Sequence, residues 1–307
     1  MSAEKKYKEQ NFISAVVYLH NDEARAVPFL QLLNERLDAR FAQYELVVVD
    51  DRCTDGTVPA VREWAKDLAK PLTIIHMSLY QGVESAMNAG LDCAIGDYVY
   101  EFDSPEAPWP ARRIDEAYDA AMQGSDIVSV CPETQRASSR LFYRLFNANS
   151  HSAYQLRTDA FRLVSRRAIN RVHMVSEKLP YRKAAYAASG LKMAALTYPG
   201  TAPARSEGRF GLAVDSLALY TDAGYKFSVG LTGLMLLVTL AELVYTLVIY
   251  FAGRPIEGWT TMMFVLTGGF AGLFAVLTIV CKYLSLILEL TFRRQTSLVE
   301  GIEKIQK

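Results

Sequence analysis

The residues whose types and spacing could do chemistry are acids at the ends of apolar runs. Asp50 and Asp51 close the run Tyr44-Glu45-Leu46-Val47-Val48-Val49, and a Thr54-Asp55-Gly56-Thr57 turn follows. Glu101 and Asp103 alternate at the end of Gly96-Asp97-Tyr98-Val99-Tyr100, with Pro105, Glu106 and Pro108 behind them. His20, Asn21 and Asp22 end a third run, 12–19. Acids placed this way either receive a polar ligand or serve the chain itself. In the second case Asp50 and Asp51 cap the next helix, Glu101 and Asp103 form a solvated strand end, and His20 is an ordinary loop histidine. Among the bases, Arg162 sits inside Phe161-Arg162-Leu163-Val164-Ser165. A guanidinium donates a planar fork that suits phosphate oxygens, and the alternative is a structural ion pair.

The elements that must position these groups alternate between two periods. Residues 12–19, 44–49, 72–76, 96–103 and 126–130 are short, β-branched and aromatic, and predict strands. Between them, Phe29, Leu30, Leu33 and Leu37, then Val58, Val61, Trp64, Ala65 and Leu68, carry helical spacing, and Pro71 stops the second helix. This alternation predicts a doubly wound, mostly parallel α/β sheet. In such a sheet ligands bind beyond the carboxyl ends of the strands, where all three acid clusters fall. Gly82, Ala86 and Gly90 lie at four-residue spacing on one helical face, which lets that helix approach the sheet or a ligand closely. Arg136, Arg140 and Arg144 form a basic stripe at the same spacing, either a solvated face or one drawn to anionic groups.

Composition divides the chain. It has 307 residues, 51% of them hydrophobic, and a formal net charge of +0, which gives no basic excess of the kind nucleic-acid binding shows. Cys53, Cys93, Cys131 and Cys281 lack metal-ligand spacing, and the first three suit a reduced, cytosolic domain. Charges are sparse across 228–291. Residues 228–252 and 261–290 are each long enough, as helices, to span a bilayer. Trp259 stands at the expected interface, Glu242 and Lys282 lie within or near the spans, and Arg293, Arg294, Lys304 and Lys307 follow them. The predicted organisation is a flexible tail at 1–10, an α/β domain at 11–210, an interfacial helix at 211–227, two transmembrane helices at 228–291 and a cytosolic tail at 292–307. Both termini are expected in the cytosol, and Met1–Lys8 carries no apolar stretch that would act as a signal.

The run through Val48-Val49-Asp50-Asp51 to Asp55-Gly56-Thr57 resembles family-2 glycosyltransferases, which carry a glycosyltransferase-A type domain. Asn21-Asp22, Gln81-Gly82 with Ala86 and Gly90, and Glu101-x-Asp103 fall in that family's order. Phe161-Arg162-Leu163 with Arg166-Arg167, Glu177, Arg205 with Gly208, and the paired apolar spans resemble its polyprenyl-phosphate branch. Tyr18, His20, Cys53, Tyr80, Pro105 and Phe210-Gly211-Leu212 depart from the pattern. The resemblance implies an inverting transfer of a sugar from a nucleotide-sugar to polyprenyl phosphate at the inner membrane. His20, Asn21, Asp22, Asp50, Asp51, Gly82 and Glu101 would contact the donor, and Glu101 and Asp103 would hold Mg²⁺ or Mn²⁺, with Mn²⁺ at least as effective. Asp103, Arg162 and Glu177 would be catalytic, while Arg162 and Arg205 would meet the acceptor phosphate. The lipid bilayer and association of copies through the membrane helices complete the expected partners, with no nucleic acid. Two alternatives stay open: transfer to a sugar hydroxyl, with Glu177 or Asp159 as base, and a catalytically silent membrane assembly partner.

Overall fold

The computed structural model describes residues 8–135, 137–149, 154–175, 181–201 and 297–306, with scattered positions between 230 and 287. Its elements are β1 (Ile13–Leu19), α1 (Glu23–Arg40), β2 (Tyr44–Asp50), α2 (Thr57–Ala65), β3 (Leu72–Met77), α3 (Val83–Cys93), β4 (Tyr98–Phe102), α4 (Arg112–Met122), β5 (Ile127–Thr134), α5 (Ala137–Asn149), β6 (Phe161–Ser165), α6 (Arg166–Val175), α7 (Arg182–Ala188), β7 (Met193–Thr201) and β8 (Val299–Ile305). The strands form one sheet in the order β7-β5-β6-β4-β1-β2-β3-β8. β3–β2, β2–β1, β1–β4 and β5–β7 are parallel. The pairs β4–β6, β5–β6 and β3–β8 are antiparallel. The predicted parallel centre is therefore present, flanked by antiparallel additions.

Period-2 alternation sends side chains of β1 and β2 to two helical layers. Ala15, Val17, Leu46 and Val48 join one core with Phe29, Leu30, Leu33 and Leu37 of α1 and Ile114 and Tyr118 of α4. Val16 and Val49 face α3 instead, where a Cβ on Gly90 would come within 2.4 Å and 2.7 Å of their methyls. Close approach is thus the requirement at Gly90. At Gly82 it is conformation: φ is +82 and nothing lies within 4 Å of where a Cβ would sit.

The chain divides into two compact units, Met1–Leu212 with Gln295–Lys307, and Ala213–Arg294. The segment expected as a tail at 292–307 contributes β8, whose residues pair with β3 from Leu72↔Ile305 to Met77↔Val299. Glu300 and Lys304 on its exposed face are what an edge strand carries, but its partner is more than 200 residues away in sequence. Of the expected tail at 1–10, Glu9 bridges Phe41. In the second unit the described positions of 230–241 and 262–287 are helical. A Cβ on Gly272 would meet Met235 Sδ at 2.8 Å, so backbone and side chain pack closely there. Large apolar side chains of this unit, including Leu237 and Leu273, are well exposed. Among the described residues no helix is long and apolar enough to cross a membrane. The predicted interfacial helix, Glu242, Lys282, Trp259 and much of both predicted spans lie outside the described residues.

Candidate active site

The strand order reverses between β1 and β4, and the acids gather at the carboxyl ends of β1, β2 and β4. Two residues at this rim have left-handed backbone, Asn21 (φ 54) and Arg52 (φ 61). Asparagine tolerates this conformation, whereas a long side chain such as arginine rarely adopts it. Each follows the end of its strand by two residues and turns the chain sharply, so that the two loops meet. Thr54 N and Oγ1 donate to Asn21 Oδ1 at 2.8 and 3.3 Å, and Asp22 N donates to Thr57 Oγ1 at 2.8 Å. Asp22 Oδ2 accepts from His20 N at 3.0 Å, and its other oxygen pairs with Arg25.

Asp50 and Asp51 are both buried. Asp50 accepts from Cys53 N at 2.8 Å and lies 2.9 Å from His76 Nδ1. Asp51 accepts from Gln81 N and Gly82 N, each at 2.8 Å, and from Tyr18 Oη at 2.9 Å. Burial, reinforced by the Asp51 charge, pushes the Tyr18 phenol well above its usual range. Asp51 therefore serves a helix N-terminus, as one sequence alternative held, but that of α3 rather than α2. The N–H groups and the positive end of the helix dipole both favour a carboxylate there. The turn into α2 is held instead by Asp55, which accepts from Thr57 N at 3.0 Å. His20 Nδ1 sits 2.7 Å from Asp51 O, and the His20 ring lies 4.6 Å from the Tyr80 ring, giving the rim a pair of partly exposed rings.

Glu101 and Asp103 are not a solvated strand end. Antiparallel pairing of β4 with β6 sets Arg162 opposite Glu101. Arg162 Nη1 donates to Glu101 Oε2 at 3.2 Å, Nη2 to Asp103 Oδ2 at 2.7 Å, and Nε to Asp159 Oδ2 at 3.1 Å. From α7, Arg182 Nη1 donates to Glu101 Oε2 at 3.1 Å, Nη2 to Asp103 Oδ1 at 2.6 Å, and Nε to Glu84 Oε2 at 2.9 Å. Tyr186 Oη completes Glu101 at Oε1, 2.5 Å away, and Lys183 Nζ reaches Asp159 Oδ1 at 2.8 Å. Glu101 and Arg182 are 0% exposed and Arg162 is 3% exposed.

Electrostatics follow from that burial. Desolvation lifts Glu101 above the ordinary carboxylate range, although Arg182 and Arg162 pull it down. At Asp159 desolvation also acts upward, but Arg162 and Lys183 outweigh it and hold the carboxyl below its usual range. A carboxylate so held is a poor proton acceptor, which argues against Asp159 as a general base. Both arginines stay firmly protonated, since their acidic partners overcome the cost of burial.

The oxygens of Glu101 and Asp103 are thus all met by donors of the chain, and the arrangement does not fit a divalent cation. Among the described residues no group of three or more His, Cys, Asp or Glu is placed to hold one. The structure places His20, Asn21, Asp22, Asp50, Asp51 and Gly82, expected to contact a donor, along one rim, whereas Glu101 and Asp103, expected to hold a metal, are bonded to Arg162, expected to meet a phosphate. Sequence reasoning missed Glu84, Arg182, Lys183 and Tyr186, whose one signal was an Arg-Lys pair in an alanine-rich segment. Glu177, Arg205 and Arg136 lie outside the described residues, while Arg140 and Arg144 are exposed.

The family described as Glycosyl transferase family 2 matches residues 14–188. An uncharacterized glycosyltransferase of Synechocystis sp. is 24% identical over 187 residues, covering 59% of this chain and 58% of that protein. The undecaprenyl-phosphate 4-deoxy-4-formamido-L-arabinose transferase of Edwardsiella ictaluri is 27% identical over 183 residues, covering 57% of this chain and 56% of that protein. The matches span less than two thirds of these relatives. Among solved structures, a mannosyltransferase from Pyrobaculum calidifontis in complex with GDP-Man and Mn²⁺ is 18% identical, covers 88% of each chain and has a TM-score of 0.49.

Proposed function

Because this chain belongs to glycosyl transferase family 2, we propose that it moves a sugar from a nucleotide-sugar to polyprenyl phosphate. The observation that carries the reading is the gathering of His20, Asn21, Asp22, Asp50, Asp51 and Gly82 at the strand-order reversal. The His20 and Tyr80 rings offer a face for a base, and the exposed Asn21 beside them offers its amide to a ribose. The acceptor is suggested by the relatives named for undecaprenyl phosphate and bactoprenol. Phosphate is already an anionic nucleophile, so the absence of an available base at Asp159 suits it better than a sugar hydroxyl. Its oxygen attacks the anomeric carbon as the bond to the nucleoside diphosphate breaks, which inverts that centre. The chain's task is to align the two and to stabilise the departing diphosphate.

In this reading 228–252 and 261–290 form a hairpin in the inner membrane. The strands before and after the second unit, β7 and β8, belong to one sheet, so the chain between them crosses an even number of times. Both flanks, and the donor site with them, then face the cytosol. Arg205, Glu177 and association of copies through the hairpin belong to the same proposal.

The test is incubation of the purified full chain, in detergent, with a panel of labelled nucleotide-sugars and polyprenyl phosphate. Label is expected to move into the lipid phase for at least one donor. If no donor labels lipid while nucleotides still bind, the second reading applies, a silent relative acting as a membrane assembly partner. Saturation of Glu101 and Asp103 by arginine is the observation that favours it.

A further inference from the structure

We propose that Arg162 and Arg182 stand in for a divalent cation at Glu101 and Asp103, so that the donor site is held without metal. Two guanidiniums bridge two carboxylates, one arriving from β6 and the other from α7, and together supply the charge a single divalent ion would bring. Their third bonds, to Asp159 and Glu84, hold each fork in place from behind. Tyr186 takes the remaining Glu101 oxygen.

A hard cation would need to come within roughly 2.0–2.6 Å of these oxygens. Guanidinium nitrogens already stand 2.6–3.2 Å from the same atoms. The ion would have to enter a buried network in which Arg162, Arg182 and Lys183 already pair with Glu84, Glu101, Asp103 and Asp159. Displacing an arginine is no easier, because a buried guanidinium cut from its partners is left uncompensated. The place is closed because each oxygen of Glu101 and Asp103 already has a donor, and each guanidinium is held in place by a further partner. Only the naming of the place as a donor site rests on the function proposed above.

The test titrates Mn²⁺ into the full chain in detergent and follows the free ion by electron paramagnetic resonance. Wild type is expected to take up no Mn²⁺, and nucleotide affinities in Mn²⁺ and in excess chelator should agree within about twofold. Arg182→Gln removes one donor from Asp103 Oδ1 and one from Glu101 Oε2, and a Mn²⁺ site should appear. Arg182→Lys keeps the charge and should remain silent. Stoichiometric uptake by wild type that Asp103→Asn abolishes would overturn the proposal, as would a folded Arg182→Gln that takes up no Mn²⁺. Should Arg182→Gln fail to fold by circular dichroism, the wild-type titration with its Asp103→Asn control decides alone. If no nucleotide binds, the donor reading falls and the Mn²⁺ result still stands.

Discussion

Asp51 accepts three hydrogen bonds, two from the backbone entering α3 and one from Tyr18. A carboxylate there does what a neutral side chain cannot, because it satisfies orphan N–H groups and faces the positive end of the helix dipole. Asp51→Ala should leave those part-buried donors without that partner, at up to about 1–3 kcal/mol for a group that water cannot reach. Asp51→Asn keeps shape and one acceptor oxygen and should cost less. Urea denaturation of both variants checks this, and equal loss in the two would show that the shape and single acceptor oxygen kept by asparagine contribute nothing, the charge carrying the effect. Nucleotide affinity should fall with Asp51→Ala as well, since the residues it organises, Gln81 and Gly82, border the rim. The thiols follow their surroundings: burial pushes Cys131 up to about 12, which leaves it protonated and unreactive at neutral pH.

At the scale of elements, two packing relations align the rim. α3 lies against β1 and β2 at Gly90, where a methyl would overlap Val16 and Val49. Gly90→Ala should destabilise by about 1–3 kcal/mol, the usual cost of overpacking, despite alanine's better helix propensity. A rise in thermal midpoint would contradict it. β8 is the second relation. Gln81 Nε2 donates to Leu298 O at 2.8 Å, and Leu298 N donates to Gln81 Oε1 at 3.1 Å. Glu303 accepts a two-pronged bond from Arg62, with contacts of 2.8–3.2 Å, and stands 3.6 Å from His76 Nε2, whose other nitrogen meets Asp50. The strand that follows the second unit therefore braces both rim acids through single intermediaries. Replacing 297–307 with a Gly-Ser linker of equal length should expose the β3 edge and weaken nucleotide binding, read by calorimetry. Unchanged affinity would reduce β8 to an edge cover.

For the molecule as a whole, buried and paired acids set its response to pH. Asp159, through Arg162 and Lys183, and Asp126, through Arg167, have folded pKa values below the unfolded reference of about 3.9. Their contribution is present above that reference and is lost as pH falls through the folded values. Glu101 has the opposite sign. Its raised value contributes stability below about 4.3 that is lost as pH rises through the folded value, which partly offsets the other two at neutral pH. Tyr100 and Tyr186, raised chiefly by burial, contribute below about 10 and lose it in alkali. The thermal midpoint is expected to fall as pH drops below about 4, where Asp159 and Asp126 protonate, and again above about pH 10. A midpoint unchanged down to pH 3 would show that the buried network does not depend on Asp159 and Asp126 ionising.

The centre of the fold was legible in the residues themselves. Apolar runs of strand length, separated by helical spacing and closed by turn residues, dictate β1 to β4 and α1 to α3, because burying each stripe requires that alternation. The rim residues followed, since a parallel sheet puts strand ends on one side and the acids stand at those ends. Only the tertiary structure decided what those acids do. Glu101 and Asp103 read as open ligands until antiparallel β6 and the short α7 brought Arg162 and Arg182 onto them. β8 read as a tail because its charged face is that of an edge strand, whose pairing depends on a partner at the far end of the sequence. Spacing along a chain reports local periodicity and where a strand ends. Which carboxylate meets which guanidinium depends on contacts between distant segments, which come into being only when the layers pack.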